Sequence, residues 1–145
     1  MVDPDIVLAK LDIVERCIWR IAEVRGEKRK DLGPSIVEDV TALHLQRAIQ
    51  AAIGLAAHVV AEEGYGIPDS TAALFTLLAE RGVIDRGLAD RLRKLVGFRN
   101  IAIHEYRELD PAIVQTIVDK HLDDLRALGA RVVEVFGLRH RLRAP

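Results

Sequence analysis

Apolar residues recur along this chain at helical spacing. Val7, Leu11, Val14, Ile18 and Ile21 step by 4, 3, 4 and 3, which lays them along one helix face. Asp3-Pro4 before the stripe reads as an N-cap followed by proline at the first helical position, and Gly26 reads as a stop. A first helix is therefore expected within residues 1–30. A charged loop runs from Glu27 to Pro34, and Ser35-Ile36-Val37-Glu38 fits a capping box. Leu45, Ile49, Ala52, Ala56 and Val59 then carry a long second helix to about Glu63, closed by Gly64. After the turn Tyr65-Gly66-Ile67-Pro68, Asp69 or Ser70 caps a short helix ending at Gly82, and Asp85 caps a fourth. Asp110-Pro111 repeats the opening signal. Ile113, Ile117, Leu122 and Leu125 mark a fifth helix, expected to cross Gly129 and reach Phe136. The basic tail, residues 139–145, is expected to fray. No stretch alternates with period two between hairpin turns. The pattern predicts an all-α antiparallel helical bundle of about five helices, forming one domain over residues 1–145.

Composition narrows the function classes. Apolar residues make up 50% of the chain and aromatics only 4%, so the core is aliphatic and disorder is excluded. The 21 basic and 22 acidic residues leave a net charge of −1, so any nucleic-acid partner needs a local basic site. One cysteine, Cys17, permits neither an intrachain disulfide nor a cysteine-rich zinc module, and its apolar helical setting makes it a core filler. The start is acidic where a secretory signal is basic, and no apolar run approaches 18 residues; a soluble, cytoplasmic protein with no membrane partner is expected.

The fourth helix carries the chemistry. Leu88, Leu92 and Leu95 begin a seam whose steps continue to Arg99, Ala102, Tyr106 and Leu109, so Arg99 holds a position patterned for an apolar side chain. A guanidinium there needs a partner, a cleft or an interface. Asn100 and His104, four apart, share a face. Arg99 and His104 point about 140° apart on an ideal helix, and converge only if the arginine reaches or the helix ends near His104. Arg offers a planar fork for a phosphate, His exchanges protons near neutral pH, and Asn orients a phosphate oxygen or the imidazole. Metal-free RNA cleavage by the ribose 2′-hydroxyl asks for these groups. It also asks for both a base and an acid, and a two-fold dimer brings a second histidine to the first.

The stretch Gly97-Phe98-Arg99-Asn100-Ile101-Ala102-Ile103-His104-Glu105-Tyr106 resembles the HepT family of HEPN-domain toxins, whose motif runs Arg-Asn-x-x-x-His-x-Tyr. The resemblance extends over about residues 38–128, through the long helix, Gly-Ile-Pro turn, short helix, motif helix and Asp-Pro start. It implies a helical homodimer that pairs through the motif helix, with the motif at a cleft between protomers. It also implies a metal-independent ribonuclease acting on RNA, without cofactor, and an MntA-type nucleotidyltransferase as antitoxin. By position, Arg99, Asn100 and His104 become the catalytic candidates, and Tyr106 the residue that antitoxin adenylylates. The alternative from another class is a non-catalytic adaptor subunit of a nucleotidyltransferase complex; the intact motif favours the enzyme. Elsewhere the signals are bland. The run Arg86, Arg91, Arg93, Lys94 reads as a solvated face with an Asp90–Lys94 pair, and His58 with Glu62 makes a couple rather than a metal site.

Overall fold

The first helix, α1 (Pro4–Arg25), opens as its sequence dictates: the Asp3 carboxylate accepts the Asp5 N–H at 2.9 Å, and Pro4 fills the first turn. In this computed structural model, which describes residues 1–26 and 29–142, six further helices follow. They are α2 (Pro34–Glu63), α3 (Ala73–Glu80), α4 (Arg86–His104), α5 (Pro111–Lys120), α6 (Leu122–Val135) and α7 (Arg139–Leu142). The described residues contain no strand. The all-α fold is the expected one, with more helices than the expected five.

The central element is α2, whose 30 residues span about 45 Å at 1.5 Å per residue. It is touched by α1, α3, α4 and α6, and apolar residues therefore wrap most of its circumference rather than one stripe. α1 runs antiparallel to it: the Asp3 N–H donates to His58 Nε2 at one end, and Arg25 reaches Glu38 and Thr41 at the other. The expected stripe of α2 is buried at every position, and so are Val7, Val14, Ile18 and Ile21 of α1, while Leu11 is half-buried. Cys17 is buried among them, and burial pushes its thiol pKa up. Phe75, Leu78 and Leu92 complete the interior, where each such side chain contributes about 1.5–3 kcal/mol on leaving water. Gly129 explains itself at the α1–α6 contact: an added Cβ would lie 2.3 Å from Leu11 Cδ2.

α1 keeps its expected stop, with Arg25 as its last helical residue and Gly26 as its cap. Several other expected boundaries move. The capping box does not form, because Pro34 enters the first turn of α2 and Gly33 becomes its cap, without a side-chain hydrogen bond. The expected fifth helix breaks at His121 into α5 and α6. There the buried Asp124 receives Arg91 Nε at 3.0 Å and meets His121 Nδ1 at 2.9 Å, anchoring the start of α6 on α4. The buried stripe of α5 is Val114 and Ile117, and Ile113 faces outward. Part of the tail expected to fray is the short α7, with Arg141 bonded to Asp5 at 3.1 Å; residues 143–145 lie outside the described residues. Among the described residues no helix is long and apolar enough to cross a membrane.

Candidate active site

α4 begins at Asp85, whose carboxylate accepts the Leu88 N–H at 2.7 Å, and delivers Arg99, Asn100 and His104 in its last turns. The apolar steps of the seam run on to Tyr106 and Leu109, but the helix does not. It ends at His104, well before Asp110, which is extended ahead of Pro111 (φ −80°, ψ 118°) and opens the next helix. Glu105 leaves helical geometry, and Tyr106–Glu108 form a tight 3-10 turn. His104 is thus the last helical residue, five positions past Arg99.

Arg99 is half-buried, and its fork is held by two side chains. One terminal nitrogen donates to Gln50 Oε1 on α2 at 2.5 Å, and the other to Asn100 Oδ1 at 2.7 Å. Both acceptors are neutral amides, and among the described residues no carboxylate pairs with Arg99. Its Nε is buried with no hydrogen-bond partner, an uncommon expense for a charged group. The result is a positioned, unneutralised cation. Asn100 thus aligns the guanidinium rather than the imidazole. His104 is exposed, one turn beyond Asn100, and its ring makes no hydrogen bond among the described residues. Ile101 and Ile103 beside it are about half exposed.

Tyr106 projects at the far end of the same segment. Its hydroxyl donates to Asp39 Oδ1 near the start of α2, and this bond, then partial burial, then the charges of Asp39 and Glu38 push the phenol pKa up to about 12. A raised folded pKa means the bond's contribution is complete below pH of about 10 and is lost as pH rises through about 12. In a Tyr65→Phe background, alkaline absorbance titration should show the Tyr106 phenolate only near pH 12. Asp39→Asn should lower that midpoint toward about 10, and a midpoint already there in the parent would show the bond is not kept in solution.

Gln50 and Asp39 carry no signal in the sequence. They lie 49 and 67 residues from the groups they hold, on an outward ridge of α2. Three of the other four histidines are occupied elsewhere: His44 Nδ1 meets Val40 O at 2.9 Å, His58 accepts from Asp3, and His121 Nδ1 meets Asp124 at 2.9 Å. Asp90 pairs with Arg93 rather than Lys94. Among the described residues no group of three or more His, Cys, Asp or Glu side chains could hold a metal ion.

Comparison with known proteins gives these features a family. The sequence profile described as "Ribonuclease HepT-like" matches residues 12–132, which include the whole segment from Gln50 to Tyr106. The chain belongs to the HepT-like ribonuclease family. It is 41% identical over 120 residues to the mRNA nuclease HepT of Shewanella oneidensis, spanning 83% of this chain and 90% of that one. A putative RNase of Archaeoglobus fulgidus is 31% identical over 77 residues, covering 53% of this chain and 58% of its own. Among solved structures, a toxin-antitoxin crystal structure with AMP-PNP matches this HepT-like fold with a TM-score of 0.82 at 38% identity, covering 88% and 97% of the two chains. The tri-AMPylated Shewanella oneidensis HEPN toxin in complex with its MNT antitoxin matches with a TM-score of 0.81 at 38% identity, over 88% and 96%.

Proposed function

We propose that this HepT-like ribonuclease is the toxin of a toxin-antitoxin pair, an endoribonuclease that cleaves RNA by metal-independent transesterification. The observation that carries this reading is Arg99, a cation aligned by two amide oxygens and unpaired with any described carboxylate, on a helix whose last residue is the exposed His104. In the proposed reaction one His104 takes the proton of the ribose 2′-hydroxyl as the new O2′–P bond forms. The P–O5′ bond breaks, and the departing 5′-oxygen takes a proton from a second imidazole. The ends are a 2′,3′-cyclic phosphate and a 5′-hydroxyl. Arg99 stabilises the extra charge on phosphorus, and Asn100 holds the guanidinium in plane. With one His104 per chain, the second imidazole comes from a homodimer that pairs through the motif helix. The exposed Ile101, Ile103 and Ile113 offer apolar surface for that pairing.

The complexes solved for the relatives support an MntA-type nucleotidyltransferase antitoxin as the partner, and an AMPylated relative supports Tyr106 as its target. In that step the Tyr106 oxygen bonds to the α-phosphorus of ATP, pyrophosphate leaves, and the phenol proton passes to a base. This reading assigns that base to Asp39, which already accepts the phenol's hydrogen bond. An RNA substrate and an ATP-using partner imply a cytoplasmic setting.

One expression experiment tests these parts together. The chain made alone should cleave RNA in excess chelator, leave cyclic-phosphate ends and run at twice its 16.1 kDa mass. Co-expressed with its nucleotidyltransferase, it should gain AMP mass that Tyr106→Phe removes. Inhibition by chelator reversed by magnesium would overturn the mechanism, and absence of cleavage would leave the adaptor role.

A further inference from the structure

On the side of α2 facing α1 lies a groove of about 400 Å³ lined by Ile13, Arg16, Cys17, Trp19, Arg20, His44 and Arg47. Two features set it apart from ordinary surface. Trp19, the chain's only tryptophan, is 66% exposed although the protein has few aromatics to spare for its core. Around it stand three arginines and a histidine. Arg16 bonds Asp12 and Arg20 bonds Glu23, but Arg47 has no ion-pair partner among the described residues. His44 uses Nδ1 on the Val40 carbonyl, which leaves Nε2 free to face a ligand. The groove also adjoins the candidate active site. Arg47 and Gln50 are one helical turn apart on the exposed ridge of α2, about 5–6 Å between Cβ atoms, and Gln50 holds Arg99.

We propose that this groove is an extended subsite for single-stranded RNA, in which a base stacks on Trp19 while Arg47, Arg16 and Arg20 take the flanking phosphates. A flat indole beside guanidinium groups is the chemistry single strands select, since stacking supplies affinity and the cations follow the backbone. From Arg99 across Gln50 to Arg47 and Trp19, the strip lets an RNA chain pass from the scissile phosphate onto α1. The inference rests on the RNA-cleaving reading above and names where that substrate is gripped away from the bond that breaks.

The sole tryptophan makes the test direct, because its fluorescence reports RNA binding whether or not the chain cleaves. His104→Ala protein titrated with a single-stranded oligoribonucleotide should show quenching of Trp19 emission. Arg47→Ala in that background should weaken binding and lower the salt slope by about 1. In the cleaving protein, Trp19→Ala should lose about 10-fold or more in kcat/KM on a long single strand, and less on a dinucleotide. Emission that ignores RNA, or equal losses on both substrates, would overturn the subsite while leaving cleavage intact. Emission that responds to the nucleotidyltransferase and not to RNA would also overturn it, and would make the groove a protein contact. A wild-type chain that quenches with RNA yet never cleaves it would support the groove and sink the catalytic reading instead.

Discussion

Replacing His104 with alanine should reduce RNA cleavage by about 10²- to 10⁴-fold, the usual worth of a positioned proton donor or acceptor. The imidazole is exposed at the end of α4 and holds nothing together among the described residues, so stability should move by no more than about 0.5 kcal/mol. Activity and folding are thus separable at this position. Initial rates on a single-stranded RNA, alongside thermal unfolding of the same preparations, give the two readouts. Cleavage that survives the substitution would mean that another group moves the proton and that the motif has been misread.

Arg99→Lys should cost nearly as much, about 10²- to 10³-fold, although the formal charge is unchanged. The guanidinium spends one terminal nitrogen on Gln50 and the other on Asn100, and these two bonds fix the plane in which it faces a ligand. An ammonium can satisfy one of those oxygens or the phosphate, but it cannot reproduce the fork. Gln50→Ala removes one of the two supports and should give a smaller loss, felt in kcat more than in KM. A lysine variant with wild-type rates would reduce Arg99 to a steering charge.

Legibility in the sequence follows the range of the interaction involved. Asp3-Pro4, Asp85 and Asp110-Pro111 open α1, α4 and α5 as read, because a cap acts within three residues of itself. Gly64 ends α2 with φ of 64°, a conformation that suits its missing side chain. The motif was visible for a similar reason: Arg99, Asn100, His104 and Tyr106 lie within eight positions of one another. What escaped depends on distant partners. The break at His121 answers to Asp124 and Arg91, which meet only once α4 and α6 have packed. Asp39 and Gln50 look like ordinary surface residues of α2 until α4 and its turn are laid along them.

That shared use of α2 turns a stretch of helix into a gauge. Asp39 and Gln50 stand eleven positions apart, about three turns, so they point the same way to within about 20° and are separated by roughly 16 Å along the axis. Between them they set the interval between the guanidinium that faces the phosphate and the phenol at the other end. Substitutions within the stretch leave that interval alone. One inserted residue would swing one anchor by about 100°, and three or four would restore its direction only to within about 40–60° while lengthening the gauge by about 4.5–6 Å. The length of residues 39–50, more than most of the identities between them, is what keeps the two ends of the motif in phase.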